Sequence, residues 1–234
     1  MINFIYNYSM KNYETILFDA DNTLFDFNKA ERTAIAETFE NFNVKVSDKI
    51  INDYHKINDD YWKRLEKKEV TEQQLNYMRF DDLFAMHNLS LNSTEFNLAY
   101  KDNLANQSFL IEGALDIVKY LFGLSKKLII ASNGSKSIQN SRISRSPLST
   151  YVSAVYTSQD AGYPKPSKEF FDKTFDLFNL DKATTLLVGD SITADIKGGF
   201  EYGIDTVFFA PNGDRNPMPT YTITSLSELK NIIK

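Results

Sequence analysis

Short aliphatic or β-branched runs recur along the chain, at Thr15-Ile16-Leu17-Phe18, Lys127-Leu128-Ile129-Ile130-Ala131, Val152-Ser153-Ala154-Val155-Tyr156, Thr185-Leu186-Leu187-Val188 and Ile204-Asp205-Thr206-Val207-Phe208-Phe209. Such nearly unbroken apolar runs are the pattern of strands buried on both faces. Helical spacing returns between most of them, and strands alternating with helices predict a parallel sheet covered on both sides. Five such strands make one α/β core.

The interval between the first and second runs is about a hundred residues long, far more than a crossover needs, and contains no strand-like run. Its segments read as helices. One runs from Asn28 to Phe42 and opens on the capping-box-like Asn28-Lys29-Ala30-Glu31; a second places Ile50, Tyr54, Ile57, Tyr61 and Leu65 at helical spacing. Thr71 is the expected N-cap of a third carrying Leu75 and Met78, and Ser93 or Thr94 of a fourth carrying Phe96 and Leu104. An all-helical domain over residues 27–108 is therefore expected, inserted into a core made of 1–26 and 109–234. That core resumes with a helix from Gly113 to Phe122, and Ser167 caps another bearing Phe170, Phe171, Phe175 and Phe178. The capping box Ser225-Leu226-Ser227-Glu228 starts a last helix to Lys234, and Pro211 to Pro219 reads as a surface loop.

Of 234 residues, 26 are Lys or Arg and 31 Asp or Glu, a net charge of −5, which argues against a partner as polyanionic as a nucleic-acid polymer. The absence of cysteine removes disulfides, thiolate-bound zinc and thiol nucleophiles from consideration, and makes the reducing cytoplasm the expected location. No run approaches the roughly 20 apolar residues that cross a bilayer, so no membrane partner is expected. Residues Met1 to Met10 lack a basic segment followed by an apolar one and do not read as a signal peptide, and Met10 is a second possible start.

Immediately after the first strand stands Asp19-Ala20-Asp21-Asn22-Thr23, at the edge where open parallel sheets bind their ligands. If strand geometry persists, Asp19 and Asp21 project to one side. A second acidic pair follows the fourth strand in Gly189-Asp190-Ser191-Ile192-Thr193-Ala194-Asp195, where Asp195 alone also reads as a helix cap. Carboxylates converging at strand ends with no His or Cys beside them suit a hard divalent cation such as Mg²⁺. Ser132-Asn133-Gly134 after the second strand, and Lys165 between Pro164 and Pro166, offer a hydroxyl, backbone N–H groups and an ammonium for an anion. Taken singly, Ser132 is a turn serine and Lys165 a solvated surface lysine.

In this order the four motifs resemble the haloacid dehalogenase (HAD) superfamily of phosphotransferases over nearly the whole chain, and the helical insertion matches the position of that family's C1 cap. The resemblance implies a Rossmann-like doubly wound parallel sheet and a set of roles. Asp19 would be the nucleophile that forms an aspartyl-phosphate, and Asp21 the acid and base. Asp19, the Asp21 backbone carbonyl and Asp190 would hold Mg²⁺, with Asp195 in reach directly or through water. Ser132, Asn133, Gly134 and Lys165 would hold the phosphoryl group. Asp21 also argues against dehalogenation, because a departing halide needs no proton whereas an alkoxide does.

The cap is similar to that of the bacterial pyrimidine 5′-nucleotidase branch, on Phe25-Asp26-Phe27, Tyr54, Ile57-Asn58, Trp62, Thr71, Arg79-Phe80 and Leu110-Ile111-Glu112-Gly113-Ala114. It implies a nucleoside monophosphate as substrate, met by Asn58, Trp62 and Arg79. Trp62 also fits a place in the cap core, and Arg79 a cap salt bridge. Three further readings stand beside this one: a phosphatase for a sugar phosphate or other small phosphometabolite, a 2-haloacid dehalogenase, and a non-catalytic binding protein. A monomer or small homo-oligomer is expected.

Overall fold

The computed structural model describes residues 11–234, so the alternative start at Met10 and the reading of the leader lie outside the described residues. Six strands form one sheet: β1 (Thr15–Phe18), β2 (Lys127–Ser132), β3 (Ala154–Thr157), β4 (Thr185–Gly189), β5 (Asp205–Phe209) and β6 (Tyr221–Ile223). Their order is β3-β2-β1-β4-β5-β6, and every pairing is parallel. This is the doubly wound, Rossmann-like arrangement. β6 was not among the expected strands; three residues behind a Pro-rich loop are too short to show a pattern.

Alternation along each strand divides the sheet's side chains between two cores. Ile16, Phe18, Leu128, Ile130, Leu186 and Val188 pack with Ile117, Val118 and Leu121 of α5 (Ala114–Gly123) and with Leu226, Leu229 and Ile232. Leu17, Ile129, Ala131 and Leu187 face the other way, onto Phe170, Phe171 and Phe175 of α8 (Lys168–Phe178). The short helices α7 (Ser158–Ala161) and α9 (Gly198–Tyr202) complete that side, while α6 (Lys136–Arg145) follows β2.

Between β1 and β2 lie α1 (Phe27–Asn41), α2 (Asp48–Glu66), α3 (Glu72–His87) and α4 (Ser93–Ala105). They enclose a separate core rich in aromatic rings, with Phe80 stacked on Tyr54 at 5.4 Å between centroids and edge-on to Phe96 at 5.1 Å. Two crossings join this unit to the sheet. Phe25 pairs with Leu110, and the Asp26 N–H donates to the Phe109 carbonyl at 3.0 Å. On that geometry we propose the division of the chain at 27–108.

The helix ends differ in detail from the expectation. Asp26, not Asn28, caps α1, accepting from the Lys29 N–H at 2.9 Å, because its own backbone is still outside the helix. Asn92 precedes Ser93 and caps α4 through the Glu95 N–H at 3.0 Å. Thr71 caps α3 in a full capping box. Ser225 does the same, but it opens a 3₁₀ segment ending at Asn231, not a helix to Lys234, since Ile233 turns away to pair with Lys11. Among the described residues no helix is long and apolar enough to cross a membrane.

Candidate active site

β1 lies between β2 and β4, so the chain reverses its direction of travel across the sheet there, and the crevice at that switch point is where such sheets bind ligands. Asp19 stands at the crevice. Its N–H extends the ladder one residue past β1 by donating to the Val188 carbonyl at 2.8 Å. Asp190 directly follows β4, and Thr23 donates to it at 3.4 Å.

Lys165 is buried at the centre, 1% exposed, which overturns the reading of a solvated surface lysine. Its Nζ donates to Asp19 Oδ1 at 2.8 Å, Asp195 Oδ1 at 2.6 Å and the Ala131 carbonyl at 2.5 Å, using all three donors. The other Asp195 oxygen accepts from the Ser191 N–H at 3.1 Å. Asn133 ties Lys165 in place from the β2 loop, donating to its carbonyl at 2.9 Å and accepting from its N–H at 2.8 Å. Ser132 Oγ accepts from the Gly134 N–H at 3.0 Å, which closes the turn at the end of β2.

Asp19, Asp190 and Asp195 each offer an oxygen within 4.8 Å of the others. Burial raises the Asp19 carboxyl well above its usual range, with Asp195, Asp190 and Asp21 pushing the same way and Lys165 opposing. Asp190 is pushed up to about 7 by burial and by Asp195. Burial opposes the charge on Lys165, but Asp19 and Asp195 outweigh it and hold the ammonium above its usual range. Crowded, largely buried carboxylates with a single lysine among them call for more positive charge. An all-oxygen donor set fits Mg²⁺. The Asp21 carboxylate is outside this cluster: it accepts from Gln139 Nε2 at 2.6 Å and from Arg142 Nη1.

Gln139 and Arg142 are site residues that the motifs did not include. They lie three positions apart on one face of α6, just after Ser132-Asn133-Gly134, and that spacing is the signal available in the sequence.

The crevice opens into a cavity of about 410 Å³ roofed by the helical unit, and Asn58, Trp62 and Arg79 all line it with Asp19 and Lys165. Asn58 and Arg79 are nevertheless buried. Arg79 donates to Asn58 Oδ1 at 2.6 Å and Asn97 Oδ1 at 3.1 Å, and Asn58 donates to Glu31 Oε1 at 2.6 Å. The guanidinium also sits 4.8 Å from the Phe80 ring and 5.1 Å from that of Tyr100. Trp62 is half-buried beside Tyr61, Val70 and Leu75. Glu31 and Asn97, the anchors of this network, were not expected from the sequence.

The model of the haloacid dehalogenase-like hydrolases matches residues 16–209. The chain belongs to that family. It is 34% identical over 228 residues to HAD-hydrolase YfnB of Bacillus subtilis, covering 96% of this chain and 97% of that one. The crystal structure of YfnB bound to magnesium superposes with a TM-score of 0.88, over 94% of this chain and 97% of that one. The pyrimidine 5′-nucleotidase PynA of Streptococcus pneumoniae is 33% identical over 231 residues, 95% of this chain and 98% of its own. Pyrimidine 5′-nucleotidase YjjG of Escherichia coli is 28% identical over 225 residues, 94% and 98%. The L-2-haloacid dehalogenase from Xanthobacter autotrophicus shares the fold, with a TM-score of 0.72 at 16% identity over 93% of this chain and 96% of that one. The protein is thus a HAD-family phosphatase, a phosphoric monoester hydrolase.

Proposed function

We propose that this enzyme is a Mg²⁺-dependent 5′-nucleotidase that hydrolyses nucleoside monophosphates through an aspartyl-phosphate on Asp19. The observation that carries the reading is the Asp19–Lys165 pair at 2.8 Å, at the mouth of a cavity whose far wall belongs to the helical unit. Relatives that are pyrimidine 5′-nucleotidases across nearly their full length favour a nucleotide in that cavity.

The charge of Lys165, the Ser132 hydroxyl and the Asn133 N–H draw the phosphoryl group to Asp19. A free Asp19 oxygen attacks phosphorus as the ester P–O bond breaks, and Asp21 gives its proton to the departing nucleoside oxygen. Asp21 then takes a proton from water as that water attacks the aspartyl-phosphate, releasing inorganic phosphate and restoring Asp19. Asp19 and Asp190 would hold the cation, with Asp195 reaching it directly or through water, and bound there it would neutralise charge gathering on the phosphoryl oxygens. Asp195, with both oxygens engaged, also aligns Lys165. We assign the enzyme to the cytoplasm, as a monomer or small homo-oligomer.

Substrate profiling tests this. Nucleoside monophosphates should be hydrolysed with higher kcat/KM than sugar phosphates, and Asp19→Asn should abolish turnover while leaving the circular dichroism spectrum unchanged. A preference for sugar phosphates overturns the nucleotide assignment; turnover by Asp19→Asn within a few-fold of wild type overturns the nucleophile.

A further inference from the structure

The acid–base role of Asp21, on which this inference rests, requires its carboxyl to meet the leaving oxygen in a defined orientation, and the bridge between Asp21 and Phe25 holds its backbone but not its side chain. Two side chains of α6 hold the carboxyl. Gln139 Nε2 donates to Asp21 Oδ2 at 2.6 Å and to Ser132 Oγ at 3.1 Å, so one amide joins the acid–base group to the phosphoryl-binding turn. Arg142 Nη1 donates to Asp21 Oδ1. Each carboxyl oxygen has two lone-pair positions, so one donor per oxygen fixes the plane and leaves the other position open to a substrate or water proton.

Packing alone does not account for these two residues. Gln139 is 1% exposed and Arg142 fully buried, where an aliphatic side chain would avoid the desolvation of a guanidinium. Arg142 Nη2 is left without a partner. The rest of the guanidinium is anchored to both chain crossings: Nε donates to the Gln107 carbonyl at 2.9 Å, and Cζ lies 4.5 Å from the Phe25 ring and 5.9 Å from that of Phe27. The clamp on Asp21 is therefore referenced to the same two segments that carry the helical unit.

We propose that Gln139 and Arg142 are positioning residues for the Asp21 acid–base step. Their removal should act on the protonation of the leaving group and spare the attack by Asp19.

The experiment measures kcat/KM, which reports phosphoenzyme formation, for a series of aryl and alkyl phosphates in wild type, Gln139→Met, Arg142→Lys, Asp21→Asn and the Gln139→Met/Asp21→Asn double variant. Gln139→Met keeps the volume and removes the donor, so it tests the idea even where Arg142→Lys fails to fold. Asp21→Asn should steepen the dependence on leaving-group pKa. Gln139→Met and Arg142→Lys should steepen it in the same sense, losing about ten-fold or more on alkyl esters and less than about three-fold on 4-nitrophenyl phosphate. In the double variant Gln139→Met should add nothing beyond about three-fold, because its effect passes through Asp21. Equal losses on good and poor leaving groups, additive losses in the double variant, or wild-type behaviour of Gln139→Met would overturn the proposal while sparing the Asp21 assignment. A shallow slope in Asp21→Asn itself would remove that assignment and this inference with it.

Discussion

The Asp195 carboxylate occupies the space that a side chain on Gly189 would need: a Cβ built there falls on the Asp195 carboxyl group, far inside van der Waals contact. The glycine at the end of β4 thus lets the acid that aligns Lys165 tuck against the strand. Gly189→Ala should force Asp195 off Lys165, lowering kcat/KM by about 100-fold while costing about 1–3 kcal/mol of stability, the usual range for overpacking. Steady-state kinetics with urea unfolding checks both numbers.

Removal of metal should abolish activity, with Mg²⁺ restoring it. A cation held by the folded chain alone would also raise Tm by an amount that grows with the logarithm of its concentration, so Mg²⁺ should do so here. In Asp190→Ala, with one of the proposed ligands gone, both responses should shift to much higher Mg²⁺. Activity titrations beside thermal melts measure this, and full activity after exhaustive chelation contradicts the metal assignment.

Trp62 separates substrate recognition from cap packing. If its ring faces a base, Trp62→Ala should lower kcat/KM for a nucleotide by about ten-fold or more, matching about 1–3 kcal/mol of stacking. A small aryl phosphate should be hydrolysed nearly as before. Equal losses on both, with a lowered Tm, assign Trp62 to the satellite cluster of Tyr61, Val70 and Leu75.

His55 gives the helical unit a pH-dependent stability. Its Nδ1 lies 2.6 Å from Glu31 Oε2, and that hydrogen bond raises the imidazole above its usual value against a smaller effect of burial. A raised histidine stabilises fully below its unfolded pKa of about 6.5, and the contribution is lost as pH climbs through the folded value. The Glu31 carboxyl, raised by burial, works in the same sense at lower pH. The urea midpoint should therefore fall as pH rises above about 6.5. His55→Gln should flatten that fall, and parallel profiles for the two proteins would show that the pair contributes nothing.

The strands were legible because burial on both faces leaves continuous apolar runs, as in Leu128-Ile129-Ile130-Ala131. The acidic motifs were legible because Asp19 and Asp190 each directly follow a strand, whereas Lys165 lies in the loop after α7 and was marked by the prolines on either side of it. α6 was not legible: Lys136–Arg145 has only Ile138 and Ile143 as apolar residues, and its inward face is completed by Gln139 and Arg142, so no stripe betrays the helix. The network of Glu31, Asn58, Arg79 and Asn97 spans the helices of the cap through buried polar contacts, and amphipathic periodicity carries no information about such pairings. Asn58 and Trp62 could be set on one helix face from their spacing, but the fates of the two side chains, one locked beneath Arg79 and the other half-open to the cavity, depend on α3.

The helical unit holds itself together around Phe39, Tyr54, Phe80, Phe96 and Tyr100; the chain enters and leaves it at two crossings, and Ile138 of α6 packs against it from the sheet side. Substitutions on its cavity wall therefore leave intact the strand ladder that sets Asp19 against Val188 and the loop contacts that hold Lys165. If the cavity wall selects the substrate as proposed, recognition and chemistry would reside in separately built parts of one polypeptide, and a descendant could acquire a new metabolite while inheriting its reaction unchanged. Arg142 marks the boundary of that freedom, since it touches both crossings and donates to Asp21.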